Sequence, residues 1–314
     1  MFNFDGNKTY FEQSMKALKE ENQLIKTILK SKEYKRGRYI NELKRGFSTP
    51  SDFKKYINNL KGKLQWSKLC RKYPIDHSIN KNISSPNYFS SERIVIYTSI
   101  FGAYDNPQEP LFVPDNCDYY IITDQKISTK SAWKAKNPES LIQDYTDLSN
   151  AEKNRYCKML PHILFPEYRY SIYIDGNIKS ITDLTELVNR CNDSGMALHL
   201  HKARKCVYEE IEACKILGKA PVSALEKFQD FLEKEKFPKN YGLNDCSVIV
   251  RDHKNPTVIQ IMNEWWTMFH ETEVKRDQLI FPYLLYLHHL TPYDVGVLGN
   301  NVQDNPALRV TTHR

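Results

Sequence analysis

The stretch Tyr170-Ser171-Ile172-Tyr173-Ile174-Asp175-Gly176-Asn177 decides the fold predicted for this chain. A short apolar run closed by Asp-Gly is typical of a strand buried on both faces of a mostly parallel sheet. Ligands of open α/β sheets bind just beyond the carboxyl ends of such strands. Two interpretations follow. Asp175 and Asn177 form an ordinary strand-to-turn exit, or they bind a divalent cation, Mn²⁺ or Mg²⁺, that holds a diphosphate.

Similar apolar runs on both sides of this stretch predict further strands. They cover residues 93–100, 117–124, 197–201 and 246–251. Helical patterns separate them, and these predict helices over residues 150–164, 184–191, 207–217, 223–234, 256–269 and 274–290. Alternating strands and helices indicate an α/β fold. We therefore predict a mixed, mostly parallel sheet flanked by helices, with an N-terminal helical appendage.

The appendage is predicted from an amphipathic helix over residues 8–31. Its stripe follows heptad spacing with one polar residue: Phe11, Met15, Leu18, Asn22, Ile25 and Leu29. Such a stripe either pairs two copies as a coiled coil, giving a homodimer, or packs on its own domain. A second helix is predicted from Ser51, and residues 76–91 are predicted to be a linker. The predicted division is 1–90, helical region and linker, and 91–314, catalytic domain.

Composition indicates a soluble globular protein. Of 314 residues, 40% are hydrophobic and 26% charged, and no apolar run approaches the roughly 18 residues of a membrane span. The N-terminus lacks a signal-peptide pattern. The 7 Cys form no Cys-x-x-Cys pair, which indicates a reducing compartment, so we expect a cytoplasmic protein.

The net charge of +7 is concentrated in basic residues between 54 and 72. This basic region is either a solvated helix face or a peripheral contact with the anionic inner face of a membrane. We expect no nucleic-acid partner.

Polar residues near the predicted strand ends suggest a nucleotide site. Asp105, Asp124 and Asp175 follow apolar runs, and Arg155 and Lys158 share a face of the helix between them. Such basic residues can neutralise phosphates. The chain has no Gly-x-Gly-x-x-Gly and no Gly-x-x-x-x-Gly-Lys-Ser/Thr motif, so dinucleotide and P-loop sites lose support. The pattern predicts a nucleotide-diphosphate site without a glycine loop.

The order of these parts resembles the GT-A-fold glycosyltransferases. Asp175-Gly176-Asn177 stands at their Asp-x-Asp position, and Arg276-Asp277-Gln278 resembles an Asp-Gln segment of retaining members. A closer resemblance is to a glycosyltransferase-like family that was once a domain of unknown function. It is shared by plant mucilage- and turgor-related proteins and bacterial polysaccharide-cluster proteins. The residues that carry this resemblance, within 92–295, are Tyr97–Asp105, His199–Glu210, Gly242-Leu243 and Arg276–Gln278.

The resemblance implies a GT-A-like (Rossmann-like) fold and a glycosyltransferase of the hexosyltransferase type. The expected substrates are a nucleotide-sugar donor and a saccharide or lipid-linked acceptor, in bacterial surface-polysaccharide (capsule or lipopolysaccharide) biosynthesis. Retention of configuration is slightly favoured over inversion. Asp277 is predicted to be the catalytic acid nearest the reacting sugar, with Asp245 second. Asp277 has an alternative interpretation as a helix N-terminal acid stabilised by the helix dipole.

The remaining site residues are predicted from the same resemblance. Donor-nucleotide contacts are assigned to Ser99, Phe101, Tyr104, Asp124, Arg155 and Lys158. Sugar or acceptor contacts are assigned to His199, His201, Arg204, Glu209, Gly242, Asn244 and Gln278. For His199 and His201 the alternatives are a structural pair or a metal site, although no third ligand has a clear spacing. Metal ligation is assigned to Asp175, Asn177 and His313. Asn177 replaces the second acid of Asp-x-Asp and adds no charge, so we expect weaker metal binding. His313 either completes the metal shell or is a terminal residue with no role.

Two other functions fit parts of the sequence. The first is a metal-dependent hydrolase acting on a lipid or phosphoester through the His and acid cluster. The second is a non-catalytic polyanion-binding protein that uses the positive charge. Tight nucleotide binding favours glycosyl transfer, zinc retained through purification favours hydrolysis, and steep salt dependence favours polyanion binding.

Overall fold

The computed structural model describes residues 4–46, 49–72 and 92–313. Its strands are β1 (Ile94–Ile100), β2 (Cys117–Thr123), β3 (Lys134–Lys136), β4 (Tyr170–Ile174), β5 (Ile178–Ser180), β6 (Met196–Leu200), β7 (Asn244–Asp252), β8 (Gly296–Val297) and β9 (Leu308–Val310). Its α-helices are α1 (Phe4–Lys30), α2 (Lys32–Gly46), α3 (Pro50–Lys72), α4 (Asn150–Met159), α5 (Pro161–Leu164), α6 (Val207–Leu217), α7 (Val222–Lys234), α8 (Pro256–Glu271) and α9 (Asp277–Leu287). Short 3₁₀ helices span Pro138–Ser140 and Thr185–Arg190.

The main sheet has the strand order β3-β2-β1-β4-β7-β6-β8. Strand β7 runs antiparallel to both β4 and β6, and the other neighbouring pairs are parallel. This confirms the predicted mixed, mostly parallel sheet. Ile174 at the end of β4 pairs with Val248. Because the two strands are antiparallel, the start of β7 lies beside the carboxyl end of β4.

Both faces of the sheet are covered, which explains the continuous apolar runs. Along β1, Ile94 and Ile96 belong to the hydrophobic cluster on one face, and Val95 and Tyr97 to the cluster on the other. All five residues of β4 are buried. The central strands therefore hold the polar residues that follow them at one well-defined edge.

Helix ends follow local chemistry. Helix α4 begins with a capping box, in which the Ser149 hydroxyl accepts from the Glu152 N–H and the Glu152 carboxylate accepts from the Ser149 N–H. The single helix predicted over residues 150–164 is wrong, because the chain leaves helical geometry at Leu160, with φ −116° and ψ 47°. Pro161 disfavours the helical conformation for the residue before it. Likewise, the last long helix begins at Asp277 rather than 274, since Lys275 has φ +40°.

The N-terminal helices lie against the rest of the chain. The side chain of Asn22 is buried and bonds residues 306–309, so α1 packs on its own chain. Pairing of two copies through this helix stays a prediction. Helix α2 was not predicted, and α3 buries Leu69, while Lys72 lies 3.9 Å from Glu212 of α6. The predicted linker, residues 76–91, lies outside the described residues, and the division near residue 90 stays a prediction.

None of the helices in the described ranges combines the length and the apolar character that crossing a membrane requires. Near the C-terminus, β9 pairs antiparallel with β5, the strand that follows Asn177, in a separate two-stranded sheet. The small two-stranded sheet thus brings the end of the chain close to the Asp175-Gly176-Asn177 turn.

Candidate active site

A cavity of about 520 Å³ opens at the carboxyl ends of β1 and β4, beside α4 and the start of α9. Separate stretches of sequence meet here, as expected for ligand sites of open α/β sheets. The predicted site residues that line it are Ser99, Phe101, Tyr104, Arg155, Lys158, Asp175, Asp245, Asp277, Gln278 and His313. The predicted donor, catalytic and metal residues therefore largely converge on one cavity.

A buried ion-pair group forms the floor of the cavity. Lys158 Nζ donates to Asp277 Oδ2 at 2.7 Å and lies 3.5 Å from Asp175 Oδ1. Arg155 Nε lies 3.0 Å from the same Asp277 oxygen. The side chains of Lys158 and Asp277 are 3% and 6% exposed, whereas that of Asp175 is 33% exposed. Asp277 is thus enclosed by cations, while Asp175 faces the cavity.

The two carboxyl groups differ in acidity for the same reason. Burial alone would raise the pKa of Asp277, but Arg155, Lys158 and Arg276 together hold it below its ordinary value. Burial raises the pKa of Asp175, and Asp277 adds to this, against the opposing effect of Lys158 and Arg155. The charged form of Asp175 is therefore the one that a further cation in the cavity would stabilise.

Asp245 reaches the cavity because of the strand directions. The N–H of Asp175 donates to Ser247 O at 2.9 Å, across the β4–β7 edge. Asp245 Oδ1 accepts from the Ser247 N–H at 2.9 Å and from the Ser247 hydroxyl. These bonds fix one oxygen of the Asp245 carboxylate at the start of β7, on the cavity wall.

The opposite end of the cavity is formed by the loop after β1. Asn154 Nδ2 donates to Ser99 O at 2.7 Å and to Ser99 Oγ at 3.0 Å, which ties α4 to the end of the strand. Asp124 does not line the cavity. Instead it accepts from the Gly102 N–H at 2.8 Å. Gly102 has φ +62°, and a Cβ there would lie 2.3 Å from Asn150, so the turn requires glycine.

His313, near the C-terminus, lines the same cavity. Its Nδ1 is 3.0 Å from both carboxylate oxygens of Asp105, and its Nε2 is 3.5 Å from Asn177 Nδ2. If Nδ1 carries the proton and donates a hydrogen bond to Asp105, the lone pair of Nε2 is left for a ligand or for the Asn177 amide. This arrangement supports the interpretation of His313 as a site residue.

The donor atoms of Asp175, Asn177 and His313 fit a divalent cation. Carboxylate and carbonyl oxygens suit Mg²⁺ and Mn²⁺, and a neutral imidazole is a common metal ligand. In the described ranges, no three His, Cys, Asp or Glu side chains come close enough to hold a metal by themselves. Asn177 is not among the residues that line the cavity, and its amide oxygen is the further ligand that the sequence suggests.

The predicted sugar-binding histidines lie elsewhere. His199 is fully buried, burial lowers its pKa to about 4, and its Nε2 is 3.0 Å from Asn305 Nδ2. His201 Nδ1 accepts from the Arg204 N–H at 3.0 Å. Arg204 forms a buried ion pair with Glu210, and Glu209 lies beside this pair on α6, outside the cavity lining. The structure thus does not bring these side chains to the cavity.

Gly242 and Asn244 do not line the cavity but form backbone hydrogen bonds near it. Gly242 has φ +111° and its N–H donates to Lys205 O at 2.9 Å. The backbone carbonyl of buried Asn244 accepts from Gln278 Nε2 at 3.0 Å. Asn244 therefore positions Gln278, which does line the cavity.

Some cavity residues were missed from the sequence. Asn154 lies one turn before Lys158 on the same face of α4, and this spacing could have revealed it. Lys275 directly precedes the Arg276-Asp277-Gln278 segment. Lys219 follows the helix-ending Gly218 and gave no signal, because its approach to the cavity depends on the packing of α6.

Comparison with known proteins gives one family match. A family model described as the TOD1/MUCI70 glycosyltransferase-like domain matches residues 76–298. A probable hexosyltransferase MUCI70 from Arabidopsis thaliana is 24% identical over 217 residues, which cover 60% of this chain and 36% of that protein. The match thus spans about a third of the relative's length.

Several solved glycosyltransferases are similar over part of the chain. The WbbM bifunctional glycosyltransferase has 12% identity and a TM-score of 0.38, covering 64% of this chain and 38% of that one. Mouse xyloside xylosyltransferase 1 has 10% identity and a TM-score of 0.39, covering 66% and 84%. The galactosyltransferase LgtC has 11% identity and a TM-score of 0.33, covering 61% and 70%.

Proposed function

This chain belongs to the TOD1/MUCI70 glycosyltransferase-like domain family, and we propose that it transfers a hexose from a nucleotide-sugar donor to a saccharide or lipid-linked acceptor. The observation that carries the proposal is the cavity floor. There, Asp175 faces open space beside the enclosed Lys158–Asp277–Arg155 group. Such a floor suits a ligand that brings both negative charge and a cation.

The charge of the cavity lining supports an anionic donor. Five cationic side chains line the cavity, namely Arg155, Lys158, Lys219, Lys275 and Arg276, against four carboxylates, Asp105, Asp175, Asp245 and Asp277. A divalent cation beside Asp175 would make the lining more positive and suit a nucleoside diphosphate. The ring of Tyr104, 67% exposed at the cavity, offers a face on which a base or sugar can stack.

We assign metal binding to Asp175, Asn177 and His313. When bound, Mn²⁺ or Mg²⁺ would neutralise the charge that develops on the leaving diphosphate. The protein's own part is to orient these side chains. The Asp175 N–H is held by Ser247 O, and the His313 ring is held by Asp105.

In the proposed reaction, the bond between the sugar C1 and the diphosphate oxygen breaks, and a bond from C1 to the acceptor oxygen forms. The acceptor hydroxyl gives its proton to the Asp245 carboxylate or to the departing diphosphate oxygen, and the nucleoside diphosphate leaves. Asp277 forms ion pairs with both Arg155 and Lys158 and has a lowered pKa. It therefore suits the role of holding these two side chains in place. Asp245, on the wall, is the carboxylate better placed to act near the acceptor or the sugar.

The wider role is proposed from the same family likeness and the basic N-terminal region. It is a cytoplasmic enzyme of bacterial surface-polysaccharide assembly, with the basic face of α3 near an anionic membrane that carries the acceptor. Lys54, Lys61, Lys68 and Arg71 are exposed on this helix. Retention of configuration stays our prediction, and NMR of the product anomer would decide it.

The test is turnover of UDP-, GDP- and CMP-sugars by the full chain with Mn²⁺, followed as release of the free nucleotide. We expect a UDP- or GDP-sugar to be used, whereas use of CMP-sugars, which release a nucleoside monophosphate, would contradict the proposed diphosphate site. Asp175→Asn should lower turnover of the donor by about 10²–10³-fold, because the charge that holds the cation is lost. Asp230→Asn makes the same chemical change on the exposed surface of α7 and should leave turnover unchanged. Failure to use any donor, or equal losses in both variants, would contradict the proposal.

The hydrolase alternative depended on an accessible His and acid cluster. His199 is fully buried, and the Glu210 carboxylate is held by Arg204. These side chains are closed to a substrate in the cavity, so glycosyl transfer is the function that the geometry favours.

A further inference from the structure

Helix α1 is bonded to the opposite end of the chain through Asn22. This side chain is 1% exposed. Its Nδ2 donates to Pro306 O at 2.8 Å and to Leu308 O at 3.1 Å, and its Oδ1 accepts from Arg309 Nε at 2.9 Å. The amide thus uses both its donor and its acceptor capacity on one short piece of the chain.

Two lysines of α1, Lys26 and Lys30, extend this contact, and a third, Lys19, pairs with a residue outside this piece of chain. Lys26 is 7% exposed and donates to Asn305 O, and burial lowers its pKa to about 8. Lys30 pairs with Asp304 at 2.6 Å, and Lys19 pairs with Glu186 at 2.9 Å. Burying an ammonium group costs free energy unless it is hydrogen-bonded. The hydrogen bond of Lys26 therefore indicates a specific contact rather than non-specific packing of the helix.

The same piece of chain continues directly into the cavity. Thr311 donates to Asn177 O from its N–H at 2.8 Å and from its hydroxyl at 2.9 Å, and Asn177 Nδ2 donates to Thr311 O at 3.1 Å. Two residues later, His313 lies against Asp105. An extended residue spans only about 3.3 Å, so the short chain between Leu308 and His313 limits how far apart the two can lie. A displacement of Leu308 would therefore also displace His313.

We propose that α1 positions the C-terminal segment (residues 304–313) so that His313 reaches the active-site cavity, with Asn22 and Lys26 as the positioning residues. The N-terminal region is then part of the site's support. The inference rests on the proposed function only for what His313 does there. It also gives a reason for Asn177 in place of an aspartate, since a carboxylate could not donate to Thr311 O.

The first test is hydrogen exchange of the full chain without substrate, read by mass spectrometry. Asn22→Leu keeps a similar volume but removes the bonds to residues 306–309. We expect amides of residues 307–313 to exchange at least about tenfold faster, with β1 unchanged. Glu21→Gln, exposed on the same helix, is the matched control and should leave the segment protected. Lys26→Met is a second variant, in case Asn22→Leu exposes β1 as well.

Unchanged protection of residues 307–313 in variants whose β1 stays protected would overturn the proposal. The second test is binding of Mn²⁺ alone, followed by electron paramagnetic resonance. Asn22→Leu and His313→Ala should weaken binding by similar factors, and the double variant should lose no more than either. Additive losses of affinity would show that Asn22 and His313 affect Mn²⁺ binding independently, which would contradict the proposal. If wild type fails to bind Mn²⁺, the proposed metal assignment is wrong, while the exchange result still decides the role of α1.

Discussion

Two polar groups in this molecule look alike in sequence and differ in structure. The cavity group is Arg155, Lys158, Asp175 and Asp277, and the β6 group is His199, His201, Arg204 and Glu210. Each mixes acids and bases near a strand end or helix start. The cavity group leaves Asp175 one-third exposed, whereas the side chains of His201, Arg204 and Glu210 are 8%, 5% and 8% exposed.

The difference lies in how far each group is enclosed, since the β6 group is buried while Asp175 of the cavity group is one-third exposed. In the β6 group, Glu210 is held by Arg204, and His201 accepts from the Arg204 N–H. Burial lowers the pKa of His201, which favours its neutral form. In the cavity group, burial raises the pKa of Asp175 beside an open space. A closed, paired group maintains the fold, while a charge that faces a cavity is where a ligand can gain binding energy.

The largest expected effect is a loss in the free energy of unfolding when a charged pair of the β6 group is broken. Arg204→Met leaves Glu210 charged and buried, so unfolding in urea should show a loss of about 3–5 kcal/mol. Donor turnover per folded molecule should be unchanged, because Arg204 does not line the cavity. Arg204→Met combined with Glu210→Leu should recover most of the loss. A lower turnover in the folded variant would instead return Arg204 to the sugar-binding site.

The second effect is a pH dependence of the β6 group. Burial lowers the pKa of His199 from 6.5 to about 4, so between these values the folded state binds fewer protons than the unfolded state. The contribution of neutral His199 to the free energy of unfolding is therefore fully present above about pH 6.5 and is lost as the pH drops towards 4. Between about pH 7 and 4.5 we expect the free energy of unfolding to fall by an amount on the order of 2 kcal/mol because of His199.

Urea unfolding at several pH values measures this loss. His199→Gln should flatten the decline, while His289→Asn, a change at an exposed position, should leave it as in wild type. Half-buried His253, whose pKa desolvation lowers to about 3, retains part of the slope in both variants. An unaltered slope in His199→Gln would mean that His199 is not held neutral by burial.

The smallest expected effect concerns the stability of the cavity group. Asp175→Asn should not lower the urea midpoint at neutral pH, because the raised pKa of Asp175 means that the fold disfavours its charge. Asp277→Asn should lower it clearly, because Asp277, with its lowered pKa, contributes stability above the ordinary carboxyl pKa and loses it in acid. Equal losses in the two variants would remove the distinction between a carboxylate that serves the fold and one that serves the ligand.

Much of the architecture was predictable because it depends on local pattern. The apolar runs before Phe101, Asp124 and Asp175 became β1, β2 and β4, and the predicted family is confirmed. The error at Leu160 was avoidable, since Pro161 is visible in the sequence and ends a helix by a local clash. The burial of His199 in β6 and of His201 just after it could not be predicted from local sequence. Alternation along a strand does not reveal which face is covered by other parts of the chain.

The sequence by itself determined the five longer strands β1, β2, β4, β6 and β7, the position of Asp175 at the end of β4 and the basic face of α4, since these follow from the spacing of neighbouring residues. The short strands β3, β5, β8 and β9 were not predicted. Only the tertiary structure decided which polar residues meet. Antiparallel β7 brings Asp245 to the cavity that Asp175 lines, and the returning C-terminal segment, held by Asn22, places His313 against Asp105. These contacts join residues far apart in the chain, and their register depends on the packing of the whole sheet rather than on local preference.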